Sequence, residues 1–143
     1  ETMGRAVVRY AIKHDGGLGP KEIAAEYGEG NFPDGFEFDC EGGIWMTSIV
    51  SNRVVHVSPE GWETVILEAG DQGLIARSEA AYQNGDFNRD YQNEGNASPL
   101  GNCASICFGG PDLKSVFLGS LAGHSVSTFR VDVTGAEPAH WHF

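Results

Sequence analysis

The first candidate for chemistry is an acidic residue held between two turn-forming residues, in the tripeptide Pro33-Asp34-Gly35. Proline fixes its own φ and restricts the residue before it, and glycine tolerates a tight bend. Asp34 therefore has a defined place at the start of a predicted strand. A carboxylate suits calcium, magnesium or zinc as a ligand, and it can also orient or deprotonate a water. The same tripeptide is common in ordinary turns, so a structural interpretation stays open.

Short apolar runs separated by turn residues surround this tripeptide. The chain has 20 glycines and 6 prolines, a content that favours many short strands over long helices. Residues 20–28 fit a short helix or a strand, and the turn signals on both sides favour the strand. The predicted strands are 5–13, 20–28, 33–40, 44–50, 53–57, 63–69, 105–108, 115–121 and 124–133.

Two parts of the chain repeat the same order of elements. Residues 35–57 and 104–131 each contain a strand, a glycine-containing turn, an apolar strand, a short turn and a strand with a basic residue. Repeated four-stranded units indicate a β-propeller or a related array. The segment between them, 71–102, lacks sustained periodicity, although residues 73–82 could form a helical turn or two. A connection of this length in a compact domain is usually functional or mobile.

Composition excludes several classes of partner. The chain of 143 residues fits one domain, and its net charge of −11 opposes binding to nucleic acid or an anionic membrane. No apolar run approaches the roughly 20 residues of a membrane helix. Cys103 and Cys107 lack the second pair that a zinc site requires, so we expect free thiols and a cytoplasmic location.

The motifs together resemble the family of senescence marker protein, regucalcin, gluconolactonase and luciferin-regenerating enzyme. The resemblance covers about Arg5 to Val133. The motifs that carry it are "PDG" at 33–35, "DCEG" at 39–42, "IW" at 44–45, "RV" at 53–54 and "SICFGG" at 105–110. It implies an all-β fold, a six-bladed β-propeller, of which this chain supplies about three blades as the C-terminal half. Members bind one divalent metal in the central channel, and many are lactonases.

The resemblance also implies what the candidate site residues do. Asp34 matches one of three metal ligands, and the other two, a Glu and an Asn, have no counterpart here. Calcium is the first expectation, with zinc or magnesium as alternatives. Asp34 could also activate water, and Ser105 is expected to line the same channel, although a structural hydroxyl is an equal alternative.

The resemblance places the 71–102 insert over the channel mouth. Its Tyr82, Arg89 and Tyr91 are then candidates for binding a small-molecule substrate, and Arg89 suits a carboxylate or phenolate. A flexible surface loop and a contact between subunits are the alternative interpretations of the insert.

Three blades cannot close a ring, because open edges would leave backbone N–H and C=O groups unpaired. We expect an N-terminal half supplied as a separate or cleaved polypeptide, since the chain starts within a blade. A homodimer, or a fragment with its own closed arrangement, are the alternatives.

The resulting hypothesis is a metal-dependent hydrolase of lactones or related esters, in which the metal activates water and polarises the carbonyl. One alternative is an enzyme of the same fold that isomerises or cyclises a secondary metabolite. The other is a propeller that binds metal or ligand without catalysis.

Overall fold

The computed structural model describes residues 1–142 of the chain. Within that part, nine strands, two α-helices and a terminal 3-10 helix at Ala139–His142 follow one another. The strands are β1 (Ala6–Ile12), β2 (Leu18–Glu26), β3 (Pro33–Phe38), β4 (Ile44–Ser48), β5 (Arg53–Val57), β6 (Glu63–Glu68), β7 (Cys103–Gly109), β8 (Ser115–Ser120) and β9 (Ser127–Arg130). The helices are α1 (Gln72–Asn84) and α2 (Arg89–Gly95).

The strands form three antiparallel sheets in which neighbours along the chain are neighbours in space. The sheets have the orders β1-β2, β3-β4-β5-β6 and β7-β8-β9. Every strand that the sequence predicts is present, including β2, for which a helix was the alternative. Strands β3 to β5 and β7 to β9 lie in the two repeated segments, so each segment forms three consecutive antiparallel strands. The predicted unit of four strands is present only in the first of these sheets, where β6 is the fourth strand.

The four-stranded sheet lies between the other two and has a core on each face. Ile44 and Met46 pack toward β1 and β2 on one face, whereas Trp45 packs toward β7 and β8 on the other. All five residues of β4 are buried, which explains its nearly continuous apolar sequence. Truncating Met46, which has no exposed surface, is expected to cost about 2–5 kcal/mol through a cavity.

The helical turn or two predicted within residues 73–82 is confirmed in its place, since α1 covers this segment, but α1 is longer than predicted and the prediction missed α2. The Asp71 side chain accepts a hydrogen bond from the Leu74 amide at 2.7 Å and caps α1. Gly85, with φ of 77°, ends the helix in the left-handed conformation. The face of α1 that packs on the sheets is short, and its buried residues are Leu74, Ile75, Ser78 and Ala81. No helix within residues 1–142 is long and apolar enough to cross a membrane.

An ion pair joins the insert to the start of the chain. The Arg5 guanidinium donates two hydrogen bonds to the Glu79 carboxylate, at 2.5 and 3.2 Å, and both side chains are largely buried. Glu79 also accepts a hydrogen bond from the Gly30 amide at 2.8 Å. These contacts attach α1 to the segments that precede β1 and β3.

Two buried asparagines attach the other part of the insert. Asn52 donates to the Gly95 carbonyl at 3.0 Å and accepts from the Cys103 amide at 3.0 Å. Asn102 accepts from the Val50 amide at 2.6 Å. Val50 has φ of 67°, a left-handed conformation that costs energy in a β-branched residue, and this hydrogen bond helps to hold it. The insert is therefore an anchored part of the fold at the end of the sheets where β3 and β7 begin.

Candidate active site

Asp34 lies in a β-bulge at the start of β3. Pro33 pairs with Ser48 and Phe36 pairs with Met46, so Asp34 and Gly35 together face the single residue Thr47. A bulge adds one residue to a strand, bends it and re-aims a side chain. The bulge gives Asp34 a direction that regular alternation along β3 would not.

Thr47 holds this bulge from the neighbouring strand. Its hydroxyl oxygen lies 3.1 Å from the Gly35 amide nitrogen and 3.1 Å from the Gly35 carbonyl oxygen. The hydroxyl accepts from the first and donates to the second, so one side chain satisfies backbone groups that the bulge takes out of the strand ladder. Thr47 itself is fully buried.

The first strands of two sheets meet at this point. A Cβ atom added to Gly35 would lie 2.6 Å from the Ala104 carbonyl oxygen and 2.8 Å from the Ser105 Cα atom. Only glycine permits so close an approach. The structure therefore brings the residue after Asp34 against Ser105, and both Asp34 and Ser105 are exposed. Ser105 follows a second bulge, because Cys103 pairs with Ser120 and Ser105 with Gly119.

The surroundings at this junction raise the pKa of both Asp34 and Cys103. Partial desolvation raises the pKa of Asp34, although one side of the residue is open to solvent. Burial, and then the charge of Asp34, raise the pKa of Cys103 to about 12. Cys103 therefore stays protonated at neutral pH and is a packing residue. No hydrogen bond or ion pair from the described residues reaches the Asp34 carboxylate.

The two predicted tyrosines of the insert lie in an aromatic cluster. The Tyr82 ring lies under the Arg5 guanidinium at 3.8 Å, and its hydroxyl donates to the Met3 carbonyl at 2.9 Å. Tyr91 stacks on Phe87, with ring centroids 5.6 Å apart. Phe87 in turn stacks on Phe32 at 4.5 Å, two residues before Asp34. Both tyrosines thus have structural contacts, and their predicted role in substrate binding stays a prediction.

Arg89 differs from the tyrosines because it is exposed. It is the first residue of α2 and forms no ion pair within the described part of the chain. Its guanidinium is therefore free to meet an anion. Binding of a substrate carboxylate or phenolate by Arg89 also stays a prediction.

The residues of this chain do not by themselves fit a divalent ion. No group of three or more His, Cys, Asp or Glu side chains that could hold a metal is present in residues 1–142. Calcium requires six to eight oxygen ligands, and a zinc site requires at least three protein ligands. Asp34 alone could supply one carboxylate of such a set.

An Asp-His pair lies at the other end of the same sheet and has a structural role. Burial raises the pKa of Asp39, but hydrogen bonds from Trp45, Gly43, Glu41 and His56 outweigh it and lower the pKa. The contact with His56 Nε2 is 3.0 Å and that with Trp45 Nε1 is 2.9 Å. One oxygen of this carboxylate accepts from the amides of Glu41 and Gly43 in the turn between β3 and β4. The other oxygen contacts Trp45 on β4 and His56 on β5, so Asp39 connects the turn to both strands.

Sequence reasoning missed two residues of the site, Thr47 and Cys103. Thr47 had a weak signal, since it is a hydroxyl residue inside the apolar run 44–50. Cys103 had no signal, because its proximity to Asp34 depends on how two sheets pack.

The fold and this junction define a class of protein. It is an all-β chain of sheets packed face to face, with a carboxylate where the start of β3 lies against the start of β7. Comparison with known proteins gives the family. The model of the SMP-30/gluconolactonase/LRE-like region matches residues 1–74, which is more than half of the chain. The chain belongs to this family.

Individual relatives agree with this assignment. The 6-deoxy-6-sulfogluconolactonase of Pseudomonas putida is 29% identical over an alignment 84 residues long, which covers 50% of this chain and 29% of that protein. A luciferin-regenerating enzyme superposes with a TM-score of 0.56 at 15% identity, over 93% of this chain and 40% of its own. A protein assigned to the gluconolactonases in a structural genomics programme gives 0.57 at 17% identity, over 94% and 34%.

The two superpositions show the fold alone, which is that of the propeller enzymes of this family. The chain spans less than a third of the curated relative and at most 40% of the solved structures. The number of blades, six in all with about three here, stays a prediction.

Proposed function

We propose that this chain forms part of an enzyme that hydrolyses lactones or related esters, with Asp34 in its active site. The observation that carries the proposal is the exposed Asp34 carboxylate, held in a bulge of β3 where that strand lies against β7, with no hydrogen bond to its side chain from the described residues. The family and the sulfogluconolactonase relative support the reaction class.

In this proposal Asp34 acts as the base. Its raised pKa makes the carboxylate a better proton acceptor than an ordinary aspartate. The carboxylate takes a proton from a water whose oxygen attacks the lactone carbonyl carbon. The ring carbon–oxygen bond then breaks, the ring oxygen takes a proton, and a hydroxy acid is released. Thr47 and Gly35 keep the carboxylate in position, and Arg89 is the candidate group for an anionic substituent of the substrate.

The cofactor and the partner are part of the same proposal. One divalent ion, calcium before zinc or magnesium, would have Asp34 as a ligand, and its other ligands would come from polypeptide outside this chain. That polypeptide is the N-terminal half of the propeller, and a second copy of this chain is the alternative. The short span of this chain relative to its relatives supports a contribution from outside.

The test is lactone hydrolysis by the protein as cells produce it, with glucono-1,5-lactone and its 6-sulfo derivative as substrates. Asp34→Asn is expected to lower kcat/KM by about 10²-fold or more, which is the usual contribution of a positioned base. Asp132→Asn removes an exposed carboxylate after β9 and is the matched control. Full activity in Asp34→Asn would refute the proposal.

The helical insert favours a second candidate, an isomerase or cyclase of the same fold. Its aromatic cluster lies beside the Asp34 end of the sheets and would give that site different surroundings from a plain channel mouth. Mass spectrometry of the product separates the two candidates, because hydrolysis adds the mass of water and isomerisation adds none. Ligand binding without any product would indicate the non-catalytic alternative.

A further inference from the structure

The aromatic cluster of the insert connects the starts of the two strands that flank Asp34. Its innermost member is Phe32, which lies just before β3 and two residues before Asp34. On its other side the cluster contacts Ala104 at the start of β7, and the Ala104 carbonyl oxygen lies against Gly35. The cluster therefore borders the bulge that carries the Asp34 carboxylate.

Three rings of this cluster form a stack that leads from the core toward the surface. Phe32 has no exposed surface, and Phe87 stacks on it with centroids 4.5 Å apart and 21° between the ring planes. Tyr91 stacks on Phe87 at 5.6 Å and 15°. Phe87 and Tyr91 are half-buried. Because successive ring planes are nearly parallel, a further flat ring can continue the stack at its outer end.

The two tyrosines of the insert differ in how their polar and aromatic groups are used. The Tyr82 ring lies under the Arg5 guanidinium, and its hydroxyl donates to the Met3 carbonyl at 2.9 Å. No hydrogen bond from the described residues reaches the Tyr91 hydroxyl, and no cation among them covers its ring. Tyr82 is therefore a structural residue, whereas Tyr91 has a hydroxyl and part of its ring available to a ligand.

Two asparagines next to the stack form their hydrogen bonds within the protein. Asn88 accepts from the Asp90 amide at 2.8 Å and donates to the Asp86 carbonyl at 3.3 Å. Asn102 donates to the Gln92 carbonyl at 2.8 Å. A polyhydroxylated sugar ring needs donors and acceptors for each hydroxyl that it buries, whereas an aromatic ring needs mainly apolar area. The stack therefore suits an aromatic ring better than a sugar ring.

We propose that Phe87 and Tyr91 form a platform that selects lactones carrying an aromatic ring, and that this ring stacks on Tyr91 with the lactone ring toward Asp34. The inference rests on the proposed function, because it takes the Asp34 site as the site of hydrolysis. It names the substrate class of that site, which is aryl lactones in preference to sugar lactones. Tyr91 is then a residue that determines specificity, and Asp34 remains the base.

Two lactones that differ only in a fused benzene ring test the platform. Isochroman-3-one and δ-valerolactone are both six-membered lactones whose ring oxygen leaves as a primary alcohol, so the leaving group is matched. In the protein as cells produce it, Tyr91→Ala should lower kcat/KM about tenfold for isochroman-3-one and less than about twofold for δ-valerolactone, because only the first loses a stacked ring. Tyr91→Phe should retain the preference of the parent. Tyr10→Ala, which removes an exposed tyrosine of β1, is the matched control and should change neither value.

Binding of stable lactams tests the platform without relying on turnover. In the lactam counterparts of the two lactones, N–H replaces the ring oxygen and the ring resists hydrolysis, so calorimetry can measure their affinities. We expect the aryl lactam to bind about tenfold more tightly than δ-valerolactam, because its ring stacks on Tyr91. Tyr91→Leu should remove this difference. Leucine retains apolar packing on Phe87, and an unchanged thermal midpoint shows that the variant is folded.

The two measurements distinguish failure of the platform from failure of the reaction. If neither lactone is hydrolysed but the aryl lactam binds through Tyr91, the proposed reaction is wrong and the platform is supported. Equal losses for both lactones in Tyr91→Ala, or equal affinities of both lactams for the parent, would overturn the platform.

Discussion

The Thr47 hydroxyl lies 3.1 Å from both the amide nitrogen and the carbonyl oxygen of Gly35, inside the bulge that carries Asp34. Thr47→Val keeps the shape of the side chain but loses both hydrogen bonds. We expect a loss of about 1–3 kcal/mol in the free energy of unfolding, because partly buried backbone groups remain unpaired. Urea denaturation measures this loss, and kcat/KM should fall as Asp34 loses its position. Thr47→Ser, which retains the hydroxyl, should restore most of both quantities.

Gly35→Ala tests the close approach of β3 and β7. The new Cβ would meet backbone atoms of Ala104 and Ser105 at 2.6 and 2.8 Å, and backbone cannot move aside as a flexible side chain can. We expect destabilisation of about 1–3 kcal/mol from overpacking. Gly61→Ala is a useful comparison, because it meets no atom within 4 Å and its cost comes only from a φ of 91°. A Gly35→Ala variant as stable as the parent would contradict the described contact.

The ion pair between Arg5 and Glu79 predicts a pH-dependent stability. Hydrogen bonds from Arg5, ahead of the other contacts, lower the pKa of Glu79 from 4.5 to about 2. Because the folded-state pKa lies below the unfolded value, this stabilisation is complete above pH 4.5 and is lost as the pH falls toward 2. Unfolding free energies measured across this range should therefore decrease less steeply in Glu79→Gln than in the parent.

The same substitution has an expected cost at neutral pH. Glu79→Gln leaves the buried Arg5 charge without its partner, and we expect a loss of about 3 kcal/mol. Glu94→Gln is the matched control, since its pair with Arg77 is more than half exposed on both sides. An exposed pair of this kind contributes about 0–1 kcal/mol. Similar losses in the two variants would contradict a structural role for the Arg5-Glu79 pair.

Substitutions at Tyr82 and Arg89 should distinguish a residue that stabilises the fold from one that binds substrate. Tyr82→Ala removes a ring packed under Arg5 and should lower the midpoint of thermal unfolding. Arg89→Ala removes an exposed side chain and should change the free energy of unfolding by no more than about 0.5 kcal/mol. If Arg89 binds an anionic substrate, KM should rise for the 6-sulfo lactone and stay the same for the neutral one. An equal change in KM for both lactones would count against Arg89 as the anion-binding group.

If the proposed divalent ion is bound, metal removal should affect the protein as cells produce it but not the 143-residue chain expressed alone. No group of three ligands is present in residues 1–142, so added calcium should not shift the thermal midpoint of the isolated chain. In the protein as cells produce it, a chelator should lower the midpoint, because a bound ion stabilises the folded state by mass action. Asp34→Asn should remove that chelator effect. Tight calcium binding by the isolated chain would show that the ligand set assumed here is wrong.

The strands were predictable from the sequence because their signals are local. Residues 44–50 form an apolar run between turn residues, and β4 is buried on both faces as that run predicts. The turn signals on both sides of residues 20–28 likewise predicted a strand and not a helix, and the structure has β2 there. The Pro33-Asp34-Gly35 tripeptide correctly marked the start of β3. Period-two alternation and turn chemistry act over a few residues, so a single sequence contains them.

The bulge and the insert depended on the tertiary structure. The bulge at Asp34 exists only relative to Thr47 on the paired strand, and helix α1 is held by Arg5, which is 74 residues from Glu79 along the chain. These features are set by contacts between distant segments, whose energies no local pattern of residues specifies.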